Sequence, residues 1–108
     1  MPLLDLEILA AADHEVQARL PVHDGLKQPL GLLHGGVFAA LADAITASEA
    51  TRAITNQTSF LRPITQGTVH ATARRRHKGR TTEVWEVDCR DDQDRLCALV
   101  RVTRAIRA

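Results

Sequence analysis

From Gly35 to about Arg52 the chain carries alanines and other strong helix formers, with apolar residues most of the way round the helical circumference. Such a helix has no wide polar face to offer water, so other structure has to enclose it. The flanking segments read as that enclosure. Short strands are predicted over Leu6–Leu9 and Glu15–Val22, the second placing Val16, Ala18, Leu20 and Val22 on one face. After the helix come Ile54–Leu61, Thr68–Arg76, Thr81–Cys89 and Leu96–Ile106, divided by Arg62-Pro63, Lys78-Gly79-Arg80 and Asp91-Asp92-Gln93-Asp94. Trp85, Val87 and Cys89 share one face of their strand, and Leu96, Ala98, Val100 and Val102 share one face of theirs, so each can cover the helix with one side. Links this short join antiparallel neighbours. The expected class is α+β, one long helix laid against a curved antiparallel sheet, in a single domain over residues 1–108.

Charge narrows the partners. Lys and Arg total 14 against 13 Asp and Glu, a balance that argues against a general polyanion binder. The densest basic run, Arg74-Arg75-Arg76-His77-Lys78-Gly79-Arg80, contains no aromatic residue on which a base could stack; Phe38, Phe60 and Trp85 are the aromatics of the whole chain. Nucleic acid is therefore not an expected partner. No apolar run approaches the roughly 20 residues of a spanning helix, and Met1-Pro2-Leu3-Leu4-Asp5 lacks the basic start of a leader, so no membrane contact and a cytoplasmic location are expected. Cys89 and Cys97 fit neither a redox pair nor a zinc site; reduced core thiols are expected, with a pairing across two strands as the alternative. The aspartates at 91, 92 and 94 lack the glycine and glutamate of a calcium loop and read as a solvated turn. His14, His23, His70 and His77 share no metal-ligand spacing, and neither Ser48 nor Ser59 lies in a Gly-x-Ser-x-Gly elbow, so metal-hydrolase and serine-hydrolase readings both fail.

The chemistry concentrates in Gln28-Pro29-Leu30-Gly31-Leu32-Leu33-His34-Gly35-Gly36-Val37-Phe38-Ala39-Ala40-Leu41-Ala42-Asp43. Two glycines let backbone approach a ligand closely, and the helix that follows aims unpaired N–H groups and its positive dipole end at the same spot. An oxygen gaining negative charge would be stabilised there. Between Gly35 and Thr46 every residue is apolar or glycine except Asp43, eight positions after Gly35. Glycine pairs at loop-to-helix junctions are common and helical aspartates are usually just solvated, so this pattern alone leaves a structural and a functional role both open.

Taken together, Gln28-Pro29-Leu30-Gly31, Leu33-His34-Gly35-Gly36-Val37, Leu41-Ala42-Asp43, Phe60-Leu61-Arg62-Pro63 and the basic turn beyond them resemble the hotdog-fold acyl-CoA thioesterases of the phenylacetate-pathway type, over nearly the whole chain. The resemblance implies a hotdog fold in a homodimer built on a shared sheet, usually paired into a tetramer. It also implies active sites at the dimer interface that act on an acyl-CoA substrate, with no metal or redox cofactor. Asp43 matches the carboxylate that activates water as a general base or attacks the thioester itself. Gly35 matches the residue whose N–H polarises the thioester oxygen, with Gly36 permitting the tight turn beside it. Gln28 matches the amide that orients the thioester or the water, and it comes with the glycine from one subunit while the carboxylate comes from the other. His34 matches a residue that braces the loop by hydrogen bonding.

The chain departs from that pattern at Ala47 and Ala53, where relatives often carry a hydroxyl; Thr46 is the candidate substitute if the helix presents it toward the carboxylate. Arg62 and Arg80 are the candidate contacts for the phosphates of CoA, with Phe60 beside them for the substrate, although strands ending in solvated cations are ordinary. Two further readings accompany hydrolysis of acyl-CoA. One is a thioesterase for acyl groups held on a carrier protein, and the other a non-catalytic acyl-CoA-binding module.

Overall fold

Helix α1 runs over Gly35–Thr46 and buries Phe38, Leu41, Ala42 and Ile45, the spacing that puts one stripe of a helix against a neighbour. His34 caps its start, the imidazole Nδ1 accepting from the Gly36 N–H at 3.1 Å. The computed structural model describes residues 4–107. Met1, Pro2 and Leu3, part of the segment read for a leader, lie outside the described residues.

Six strands form one antiparallel sheet: β1 Glu7–Ala11, β2 Glu15–Pro21, β3 Thr51–Phe60, β4 Thr68–Lys78, β5 Thr82–Arg90 and β6 Leu96–Ile106. Their order across the sheet is β1-β2-β4-β5-β6-β3. The concave face wraps α1 with Leu20, Val69, Val87, Val100 and Val102, all without exposed surface. Strict alternation along β5 places Glu83, Trp85, Val87 and Cys89 on that inner side. The α+β hotdog arrangement expected from the sequence is the one observed. Among the described residues no helix is long and apolar enough to cross a membrane.

Two differences from expectation bear on the site. The helix stops at Thr46 instead of continuing to Arg52, because Ala47 turns to extended backbone (φ −69°, ψ 144°). Ser48 and Thr51 then close a tight turn, with the Thr51 N–H on the Ser48 carbonyl at 3.3 Å and their hydroxyls 3.2 Å apart. Thr51 pairs with Ile106, so β3 starts three residues earlier than its apolar pattern implies. The helical propensity of Ala47-Ser48-Glu49-Ala50 loses to ladder bonds along β6. The second difference concerns enclosure. Within one chain α1 is covered on the sheet side only, and Asp43 and Gly36 remain exposed. The edge strand β3 is exposed along most of its length, with Ile54 48% and Phe60 64% exposed.

Candidate active site

The loop before α1 is built by its own backbone. Pro29 and Gly31 turn the chain, Gly31 at φ +84° with its N–H on the Gln28 carbonyl at 2.9 Å. The Leu30 N–H donates to Gln28 Oε1. That contact ties down the carbonyl end of the Gln28 side chain and leaves the Nε2 amide as its free donor. The Leu33 N–H reaches the Ile64 carbonyl at 2.7 Å and the His34 N–H the Leu26 carbonyl at 2.9 Å, fixing the entry to the helix. His34 braces this entry through Nδ1, and the ring proton of the neutral imidazole then sits on Nε2. Gly35 occupies the first helical position, where the N–H has no intrahelical acceptor, and it finds no other partner among the described residues.

Gly35 borders a pocket of about 420 Å³ with Gln28, Leu33, Phe38, Phe60 and Arg62. Phe60 lies against Gly35 so closely that an added Cβ would stand 2.8 Å from its Cε1, and it meets Phe38 in a tilted pair with centroids 6.4 Å apart. A side chain at 35 would have to displace the Phe60 ring, which glycine allows to lie directly against the backbone. This pocket brings together Gln28, Gly35, Phe60 and Arg62, whereas His34 and Gly36, bonded to each other, line a neighbouring pocket with Leu26 and Val37.

Asp43 belongs to a different place. Eight residues of α-helix carry it about 12 Å along the axis from Gly35 and about 80° round it. Its side chain is 52% exposed, and Oδ1 accepts from Arg104 at 2.9 Å. Oδ2 has no partner among the described residues. Thr46 is buried, and its hydroxyl donates to the Ala42 carbonyl at 2.8 Å while receiving Arg104 at 3.4 Å. It therefore faces the helix and the guanidinium and not the solvent side of Asp43. Arg80 lies at the Thr82 end of β5, by the start of β3, whereas Arg62 follows the end of β3, where its N–H reaches the Cys97 carbonyl. A full strand length separates the two cations in one chain. Neither makes an ion pair among the described residues, while Arg74, Arg75 and Arg76 are paired with Glu15, Asp13 and Glu86 at 2.9–3.0 Å.

The remaining candidates have structural roles. Asp91 closes the β5–β6 turn, accepting from the Arg95 and Gln93 N–H groups at 2.9 Å each and from Arg95 Nε at 2.8 Å. The Arg95 backbone N–H above all, with its side chain and the Gln93 N–H, holds the carboxyl below the usual range. Cys89 and Cys97 are free and buried; burial pushes the Cys89 thiol up to about 12 and also raises Cys97. The residue that sequence reasoning missed is Arg104, 4% exposed on the inner face of β6. Its signal was available in the alternation Val100, Val102, Arg104, which puts a cation in an apolar row.

Comparison with known proteins agrees with this fold. The family model described as the acyl-CoA thioesterase N-terminal domain matches residues 23–105. The chain is 30% identical to the 1,4-dihydroxy-2-naphthoyl-CoA hydrolase of Escherichia coli strain K12, across 95% of this chain and 82% of that one. Among solved structures, thioesterase HI1161 from Haemophilus influenzae superposes with a TM-score of 0.87 at 32% identity, covering 97% and 80% of the two chains. The Escherichia coli PaaI protein from the phenylacetic acid degradation operon gives 0.92 at 26% identity, covering 99% and 83%. A curved sheet around one helix that opens on an unpaired glycine amide, matched along most of its length by thioester hydrolases, identifies the chain as a member of the hotdog-fold acyl-CoA thioesterase family.

Proposed function

We propose that the protein hydrolyses acyl-CoA thioesters to a free acid and CoA at a site completed by two copies of the chain. One copy gives Gln28, Gly35, Phe60 and Arg62; the other gives Asp43. The separation of Gly35 from Asp43 within one chain carries this reading, because a carbonyl held by the first lies out of reach of the second. The exposed β3 edge supports a shared sheet, since two such edges pairing antiparallel would satisfy both rows of open backbone groups. Pairing of such dimers into a tetramer belongs to the same reading.

In this arrangement the thioester oxygen accepts from the Gly35 N–H and from Gln28 Nε2. Asp43 Oδ2 takes a proton from water, and the hydroxide adds to the carbonyl carbon. The negative charge moves onto the oxygen facing Gly35, where the helix N-terminus favours it. Collapse breaks the C–S bond, and the departing CoA thiolate takes up the proton held by Asp43. Phe60 provides an apolar wall for the acyl group, and Arg62 a fork for a CoA phosphate.

The test is thiol release with Ellman's reagent over aryl, short, medium and long acyl-CoAs, for wild type and Asp43→Asn together. The variant is expected to lose about 10²- to 10⁴-fold in kcat. Wild-type turnover by Asp43→Asn would refute the assignment. Free CoA should compete with the substrate, and indifference to it would move the acyl group onto a carrier protein.

A further inference from the structure

Arg104 occupies a position that packing alone does not explain. On β6 the inward row runs Val100, Val102, Arg104, and the two valines have no exposed surface. The third residue puts a guanidinium, 4% exposed, under the last turn of α1. Both of its ends are held. Nε donates to Thr51 Oγ1 at 2.8 Å, and Thr51 Oγ1 lies 3.2 Å from Ser48 Oγ in the turn that ends the helix. Nη1 donates to Thr46 Oγ1 at 3.4 Å, whose own proton goes to the Ala42 carbonyl. Among the described residues, the one carboxylate within ion-pair distance is Asp43, through Oδ1 at 2.9 Å. Glu83 stands opposite Arg104 across β5, but it accepts from Trp85 Nε1 at 2.9 Å and lies 3.8 Å from Arg75.

We infer that Arg104 is the positioning residue of the reaction, clamping Oδ1 of Asp43 so that Oδ2 alone faces the water and the thioester. This inference rests on the role given above to Asp43. An aspartate on a half-exposed helix face can turn freely about its two side-chain torsions, and each wrong orientation removes the base from line with the carbonyl. The buried fork fixes one oxygen from below, on the sheet side, and leaves the other on the open side. Thr46 and Thr51 act at one remove, by fixing Arg104.

Steady-state kinetics on Arg104→Gln, Arg104→Lys, Asp43→Asn and the Arg104→Gln/Asp43→Asn double variant test this, with the folded state of each checked by circular dichroism and thermal melting. Arg104→Gln is expected to lower kcat by about a hundredfold with KM within about twofold of wild type, the loss associated with misplacing a reacting group by an ångström. Arg104→Lys keeps a donor near Oδ1 and should recover part of the loss. The double variant should turn over no more slowly than Asp43→Asn alone, because Arg104 acts only through that carboxylate. Wild-type kcat in Arg104→Gln, or losses that multiply in the double variant, would overturn the inference while leaving the role of Asp43 intact. Failure of both Arg104 variants to fold would also overturn it, assigning the residue to stability. Full activity in Asp43→Asn would remove the function proposed for the site, and the clamp with it.

Discussion

Division of the site between two chains can be tested by mixing two dead enzymes. Gly35→Pro removes the proposed oxyanion donor with little harm to the helix: proline suits the first helical position, where the N–H makes no helical bond. His34, at φ −62° and ψ 133°, already has the extended backbone that a residue before proline requires. The ring would press on Phe60, since even a Cβ at 35 stands 2.8 Å from Cε1, but Phe60 is 64% exposed and has room to swing out. Loss of one oxyanion donor costs about 10²- to 10³-fold in kcat, or about 2.7–4 kcal/mol. Asp43→Asn alone is expected to fall at least as far. When the two variants are unfolded together and refolded at equal concentration, about half of the dimers are mixed, and each mixed dimer holds one intact pairing of Gly35 with Asp43 out of two sites. The mixture should therefore recover about a quarter of the wild-type rate in the thiol-release assay, far above either parent. A mixture that never exceeds the mean of its parents would refute the division of the site between subunits.

Other consequences are simpler to measure. With the Cys89 thiol pushed up to about 12 and Cys97 also raised, the native protein should show almost no titratable thiol toward Ellman's reagent at pH 8, and two per chain in guanidinium. Fast reaction of the native protein would contradict their burial. Asp91 and Asp13 have carboxyls held below the usual range, the first by the Arg95 and Gln93 N–H groups and the Arg95 side chain, the second by Arg75. Their stabilisation is thus complete above the unfolded value of about 4 and is lost as pH falls through the lower folded values. Asp91→Asn should flatten the acid limb of melting temperature against pH, and an unchanged limb would show that its turn does not couple to unfolding. Leu41, wholly buried between α1 and the sheet, should cost about 2–5 kcal/mol on truncation to alanine, read by denaturant titration. A loss below about 1 kcal/mol would mean that the helix is not packed as described.

Much of this fold was legible because its signals were local. Val16, Ala18, Leu20 and Val22 alternate, so do Trp85, Val87 and Cys89, and the glycine pair marks the start of a long apolar helix. The end of the helix was not legible, since Ala47-Ser48-Glu49-Ala50 favours helix by itself and yields only because Thr51 pairs with Ile106, fifty-five residues away. The candidate residues of the glycine loop could be named in advance because they cluster within sixteen positions. Arg104 could not be linked to Asp43 across sixty-one positions without the sheet that joins them, although its place in the valine row was visible. The inward turn of the Thr46 hydroxyl depends likewise on a partner from a distant strand.

The spacing of Gly35 and Asp43 along α1 also explains why such a site gains from symmetry. A carboxylate on the first turn of the same helix would take the free N–H groups for itself, acting as a cap and filling the position needed by the thioester oxygen. Two turns further on, Asp43 no longer competes for those donors, but it can no longer serve them within its own chain. In the proposed dimer a two-fold axis beside the helices would resolve the conflict, bringing the second helix past the first and forming two donor–base pairs in one operation. The strand positioned to make that contact, β3, is hydrogen-bonded to β6, with Ala53 opposite Arg104 in register. The residue that orients the base is therefore one ladder position from the edge on which the proposed dimer would form, so the clamp and the interface share one rigid support.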